Sequence, residues 1–139
     1  MRATVRPEVS KANKYWVEKR RYYELKYFCL QYPLWKKGYE LLDGMDRRGY
    51  DPSGITAKNG PSDPTGKTVE KRLTYFDWME MIEQTAINTD PDLASYILKA
   101  VTEGLSYTHL KAKLGIPCGK DMYYDRYRRF FWLLNQVRN

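Results

Sequence analysis

Apolar residues recur at three- and four-residue intervals along most of this chain. Between Glu8 and Tyr32, the positions Tyr15, Trp16, Tyr22, Tyr23, Leu25, Tyr27, Phe28 and Leu30 alternate with basic side chains. That spacing predicts an amphipathic helix with a wide aromatic face. Pro33 disfavours helical geometry at Tyr32 and can itself open a new helix, so PLWKKGYELLDGM reads as a shorter second helix and the two make a bent arm. Residues 49–67, GYDPSGITAKNGPSDPTGK, hold almost no large apolar side chain and predict a long mobile loop.

The helical period then resumes. Asp63-Pro64 supplies a cap and a first-turn proline, and Val69, Leu73, Phe76, Met79, Ile82, Ala86 and Ile87 extend one helix over 64–88. Asp90-Pro91 repeats the start signal before a stripe of Leu93, Ile97, Ala100 and Val101, and Gly104 stands where a C-terminal cap belongs. Ser106 is placed to cap a short helix from Tyr107 to Leu114, stopped by Gly115. The last helix is expected from about Lys120 to Val137, with Tyr123, Tyr127, Phe130, Phe131 and Leu134 as its core face. With no alternating strand pattern, the fold expected is all α: an N-terminal helical arm at 1–48, a flexible loop at 49–63 and a helical domain at 64–139.

Charge divides the chain differently. Residues 1–38 carry +7, residues 39–103 carry −5 and residues 104–139 carry +5, within a total of +7 over 139 residues. Basic ends suit polyanion binding. The run Lys19-Arg20-Arg21 reads either as a solvated face or as a phosphate clamp. A chain of this length buries enough surface to fold without staples. Cys29 and Cys118 are far apart, and with a single histidine, His109, no ordinary zinc set is available. No cofactor or metal is expected, and DPTGKT at 63–68 lacks the full phosphate-loop spacing. A mean hydropathy of −0.73 with no long apolar run excludes a membrane span. The first residues, MRATVRPEVSKANKYW, lack the apolar stretch of a secretory signal. The expectation is a reduced, cytoplasmic, non-enzymatic protein.

The segment 93–137 carries the most information. It consists of a helix, a Gly-terminated break, a short helix, a tight Gly-containing turn and a basic helix, the order a helix-turn-helix requires. Its EGLSYTHLKAKLGIP, Glu103 to Pro117, resembles region four of sigma factors. DPTGKTVEKRLTYFDWMEMIEQTA, Asp63 to Ala86, and the ending Asp121 to Leu134 extend the similarity to phage and prophage regulators of the RinA and ArpU type. This resemblance implies a phage-encoded transcriptional regulator working in a bacterial host and reading double-stranded DNA. By position, Lys120, Asp121, Tyr124, Asp125 and Arg128 would face the major groove, with Thr108, Lys111 and Arg129 nearer the phosphates and Leu110 to Leu114 packed beneath. The aromatic arm would serve a homodimer or contact host RNA polymerase.

Asp121 and Asp125 sit on the reading face, and Asp77, Glu80 and Glu83 share one helix of the acidic middle. Carboxylates oppose phosphate binding, so a second reading is kept. In it, an anti-defence (anti-CRISPR) protein presents acidic surface to a host nuclease complex. A small terminase subunit is a third.

Overall fold

The computed structural model describes residues 11–48 and 64–139. All of its regular structure is helical, with no strand among the described residues. The elements are α1 (Lys19–Leu30), α2 (Tyr32–Arg48), α3 (Pro64–Thr89), α4 (Ala94–Glu103), α5 (Tyr107–His109) with a π-helical turn (Leu110–Leu114) directly after it, and α6 (Lys120–Val137). The loop expected at 49–63 and the helix start expected at Glu8 lie outside the described residues, whereas 64–67 belong to α3.

Helix α1 begins later than the aromatic spacing implies. The Asn13 side chain accepts from the Tyr15 backbone N–H at 2.8 Å, which folds a local turn. Glu18 then caps the helix by accepting from the N–H groups of Arg20 and Arg21 at 2.9 and 3.2 Å. Tyr15 and Trp16 therefore lie in non-helical chain ahead of α1. The break at Gln31, just before Pro33, is a single residue wide.

The described chain forms two compact units. The first takes residues 11–31 and 81–139, and the second takes 32–48 and 64–80. Division at 48 and 64 was expected; instead α1 clusters with the C-terminal helices, because its aromatic face is buried there. Tyr22 meets Phe131 edge-on, ring centres 5.1 Å apart, and Leu25, Phe28, Phe130 and Leu134 are all buried. The partner of this aromatic face is the C-terminal helix α6. Ile97, Ala100 and Val101 of α4 complete the core.

In the second unit Trp35 packs on Trp78 at 5.0 Å and Tyr39 on Phe76 at 6.2 Å. The helices pass closely at Gly38, where a Cβ would stand 2.9 Å from the Tyr75 ring. Leu34, Leu41, Val69, Leu73 and Phe76 remain exposed.

No helix among the described residues is long and apolar enough to cross a membrane.

Candidate nucleic-acid interface

Four local signals shape the segment after α4. Gly104 ends that helix at φ 71, a left-handed conformation that side chains resist. Ser106 accepts from the His109 N–H at 3.1 Å and so starts α5. The backbone then widens into a π-helical turn, Gly115 reverses it at φ 66, and the Ile116 N–H bonds back to the Leu110 carbonyl at 3.2 Å. As a result Leu110 and Ile116 are fully buried while Leu114 is exposed. The expected burial of Leu110 through Leu114 thus holds only at its first residue, since the reversal at Gly115 sends Ile116 inward instead. Gly119 precedes α6 without a side-chain cap.

This path leaves Thr108, His109, Lys111, Lys113, Lys120 and Asp121 exposed around one short helix and the first turn of α6. Lys111 also reaches the Ile116 carbonyl at 3.3 Å, a contact that leaves its charge uncompensated. Farther along α6 the expected site residues become part of the packing. Tyr124 is half-buried, edge-on to Tyr123 at 5.1 Å. Arg128 is half-buried, and its Nε is shielded from solvent. Arg129 donates to the Thr89 carbonyl and the Tyr15 hydroxyl, both at 3.2 Å, which ties the chain ahead of α1 and the end of α3 to α6.

Asp125 changes meaning once its partner is seen. Arg126 donates to Asp125 at 2.5 Å and to Asp90 at 2.8 Å, so Asp125 is held in an ion pair whose cation it shares with Asp90. The bonds to Asp90 and Asp125 hold the Arg126 guanidinium above its ordinary pKa against the opposing effect of burial. Asp121 keeps an exposed carboxylate.

The arm divides in the same way. Lys19 and Arg20 are exposed. Arg21 donates to Asn135 at 2.6 Å, to Glu24 at 2.8 Å and to the Arg138 carbonyl, which secures α1 to the end of α6.

The thiols are quiet. Burial pushes both Cys29 and Cys118 above the ordinary thiol range, and neighbouring Lys111 only partly offsets this at Cys118. A raised pKa means little thiolate and low reactivity near neutral pH. Among the described residues no group of His, Cys, Asp and Glu could hold a metal ion.

Sequence reasoning did not find Lys26, Tyr107 and Tyr127, which border a cleft together with the expected Thr108, Lys120 and Tyr124. Lys26 comes from α1, distant in sequence from the motif, and only tertiary packing brings it near. Lys113 stood in plain view in the KAK triplet of 111–113.

The chain matches no family model, no curated protein and no solved structure.

Proposed function

We propose that this protein is a non-enzymatic regulator that binds duplex DNA through the segment 93–137 acting as a helix-turn-helix, in the cytoplasm of a bacterium carrying the phage that encodes it. One observation carries the reading: Lys111, Lys113 and Lys120 stand exposed around a Gly-flanked turn between a short helix and a long one. A helix presenting its first turn this way can enter a groove about 12 Å wide, with the neighbouring helix near the backbone. The charge of the first compact unit supports it, with 14 basic against 8 acidic side chains in 11–31 and 81–139. The ion pair to Arg126, shared with Asp90, weakens one of the two objections on the reading face. In this reading Lys120 and Asp121 probe bases, and Thr108, Lys111, Lys113, Lys19 and Arg20 meet phosphates.

Fluorescence anisotropy on labelled duplexes from the upstream region of phage late genes tests it. Raising salt from 50 to 200 mM should weaken the complex steeply, with a log–log slope of about −0.9 for each phosphate neutralised. Absence of a salt-sensitive complex across those duplexes overturns the reading.

The exposed Asp77 and Glu80, next to exposed Phe76, favour the second reading, inhibition of a host nuclease complex through an acidic surface. Co-purification with the nuclease effector and loss of its cleavage would support that reading, and an unaffected nuclease would reject it.

A further inference from the structure

A cleft of about 530 Å³ opens in the first compact unit among α1, α4, α5 and α6. Sites for small molecules usually span about 300–1,000 Å³. Two features define its chemistry. Lys26, whose ammonium lies 5.8 Å from the centre of the Tyr23 ring, and Lys120 both line it, and no Asp or Glu among the described residues does. Its aromatic wall is the half-buried Tyr107, Tyr124 and Tyr127, over the buried Tyr123 and Phe131.

The wall is held in place. Tyr107 donates to the Cys118 carbonyl at 2.8 Å, and the Tyr127 hydroxyl shares a hydrogen bond with Tyr22 at 2.8 Å. Tyr107 and Tyr123 stand 5.4 Å apart between ring centres, and Tyr123 and Tyr127 stand 6.0 Å apart. Thr108 adds an exposed hydroxyl at the rim.

Two lysines with no carboxylate among the described lining residues favour an anion, and a lining rich in tyrosine favours a flat, weakly hydrated body joined to it. We propose that this cleft binds a free nucleoside monophosphate, with the base against the tyrosines and the phosphate held by Lys26 and Lys120. Stacking of a base on aromatic side chains is tolerant of base identity, so the phosphate and the ring carry the recognition. The site stands on the cleft alone and does not need duplex binding. If the DNA reading also holds, Lys120 and Thr108 serve both ligands, and nucleotide and duplex compete.

The test is a titration of the isotopically labelled full chain, followed by amide NMR shifts, with adenosine 5′-monophosphate, adenosine and inorganic phosphate in parallel at constant ionic strength. The monophosphate should move signals of residues 104–108 and 120–124. It should bind about tenfold or more tightly than either fragment, because joining the two makes the second contact intramolecular. Lys26→Ala and the milder Lys26→Gln should each weaken it about tenfold, the loss of one charge-assisted contact. Lys99→Ala, exposed on α4 and not among the residues lining the cleft, should leave it unchanged, and thermal unfolding establishes that each variant is folded.

The proposal is overturned if phosphate binds as tightly as the nucleotide, if cleft signals stay still at millimolar nucleotide, if folded Lys26 variants bind normally, or if only duplex DNA moves those signals. Duplex binding is measured separately with Lys113→Ala, whose side chain is not among those lining the cleft. Failure of one ligand therefore leaves the other measurement intact.

Discussion

Arg126 and Asp90 join three segments through one pair of side chains. Asp90 accepts from the N–H groups of Asp92 and Leu93 at 3.0 and 3.3 Å, which turns the chain from α3 into α4, and its other oxygen holds Arg126 of α6. Asp90→Ala removes the turn and the ion pair together, and should lower stability by about 2–3 kcal/mol in urea titration. Asp90→Asn keeps an oxygen for the turn and loses the charge, so about 1–2 kcal/mol is expected, reduced because Arg126 remains partly solvated. Equal losses in the two variants would mean that the ion pair, not the turn, holds the junction. Buried neutral acids set a second expectation. Burial raises Cys29, Tyr123 and Tyr127, so the folded chain keeps protons that the unfolded chain gives up above the ordinary values of 9.0 and 10.0. Their contribution is complete below pH 9 and is lost as pH rises beyond that, with a limiting slope of about 1.4 kcal/mol per pH unit for each group. Urea midpoints should therefore fall from pH 9 to 11, while absorbance at 295 nm shows the two tyrosines ionising late. A flat midpoint over that range would contradict the burial.

At the scale of elements, helix punctuation was legible because it is local. Pro64, Gly104, Ser106 and Gly115 mark boundaries that the chain uses, each through a local preference that needs no distant partner. Gly115 has nothing within 4 Å of an added Cβ, so Gly115→Ala isolates the left-handed backbone cost of about 1–2 kcal/mol; Ser106→Ala should cost about 1 kcal/mol through its cap. Thermal melts of the two variants check both figures, and a neutral Gly115→Ala would mean that the turn relaxes. What the spacing could not show was which helices meet. The aromatic stripe of α1 fits any apolar partner, and its pairing with α6 follows from side-chain shape across the core. The same limit hid the cleft, since Lys26 and Lys120 lie on separate elements. It also hid the roles of Arg129 and Arg21, whose cations look free in the sequence and are tied in the fold. The onset of α1 was misplaced for a further reason: Tyr15 and Trp16 fit the helical period, but the Asn13 and Glu18 side chains compete for the backbone there.

For the whole molecule, folding redraws the charge map. The acidic stretch 39–103 is not one body: Glu83, Asp90, Asp92 and Glu103 fold into the first unit, while 32–48 and 64–80 hold 7 basic against 6 acidic side chains and are close to neutral. The basic residues of 11–31 and of 104–139, separate in sequence, share the first unit. On the DNA-binding reading, Lys19 and Arg20 then act together with Lys113 and Lys120 as one field, and the field separates from the framework by mutation. Lys19→Ala with Arg20→Ala should weaken duplex binding and make the salt slope shallower by up to about 2, one for each phosphate contact, with unfolding nearly unchanged because both side chains are exposed. Arg21→Ala should do the reverse. It breaks the bonds to Asn135 and the Arg138 carbonyl that join α1 to the end of α6, and should lower stability by about 2 kcal/mol while leaving the salt slope of the folded protein nearly as it was. Anisotropy against salt, paired with urea titration on the same three proteins, reads both effects. If Arg21→Ala flattens the slope as much as the neighbouring pair does, the arm contacts DNA as a single clamp and the division between field and framework fails.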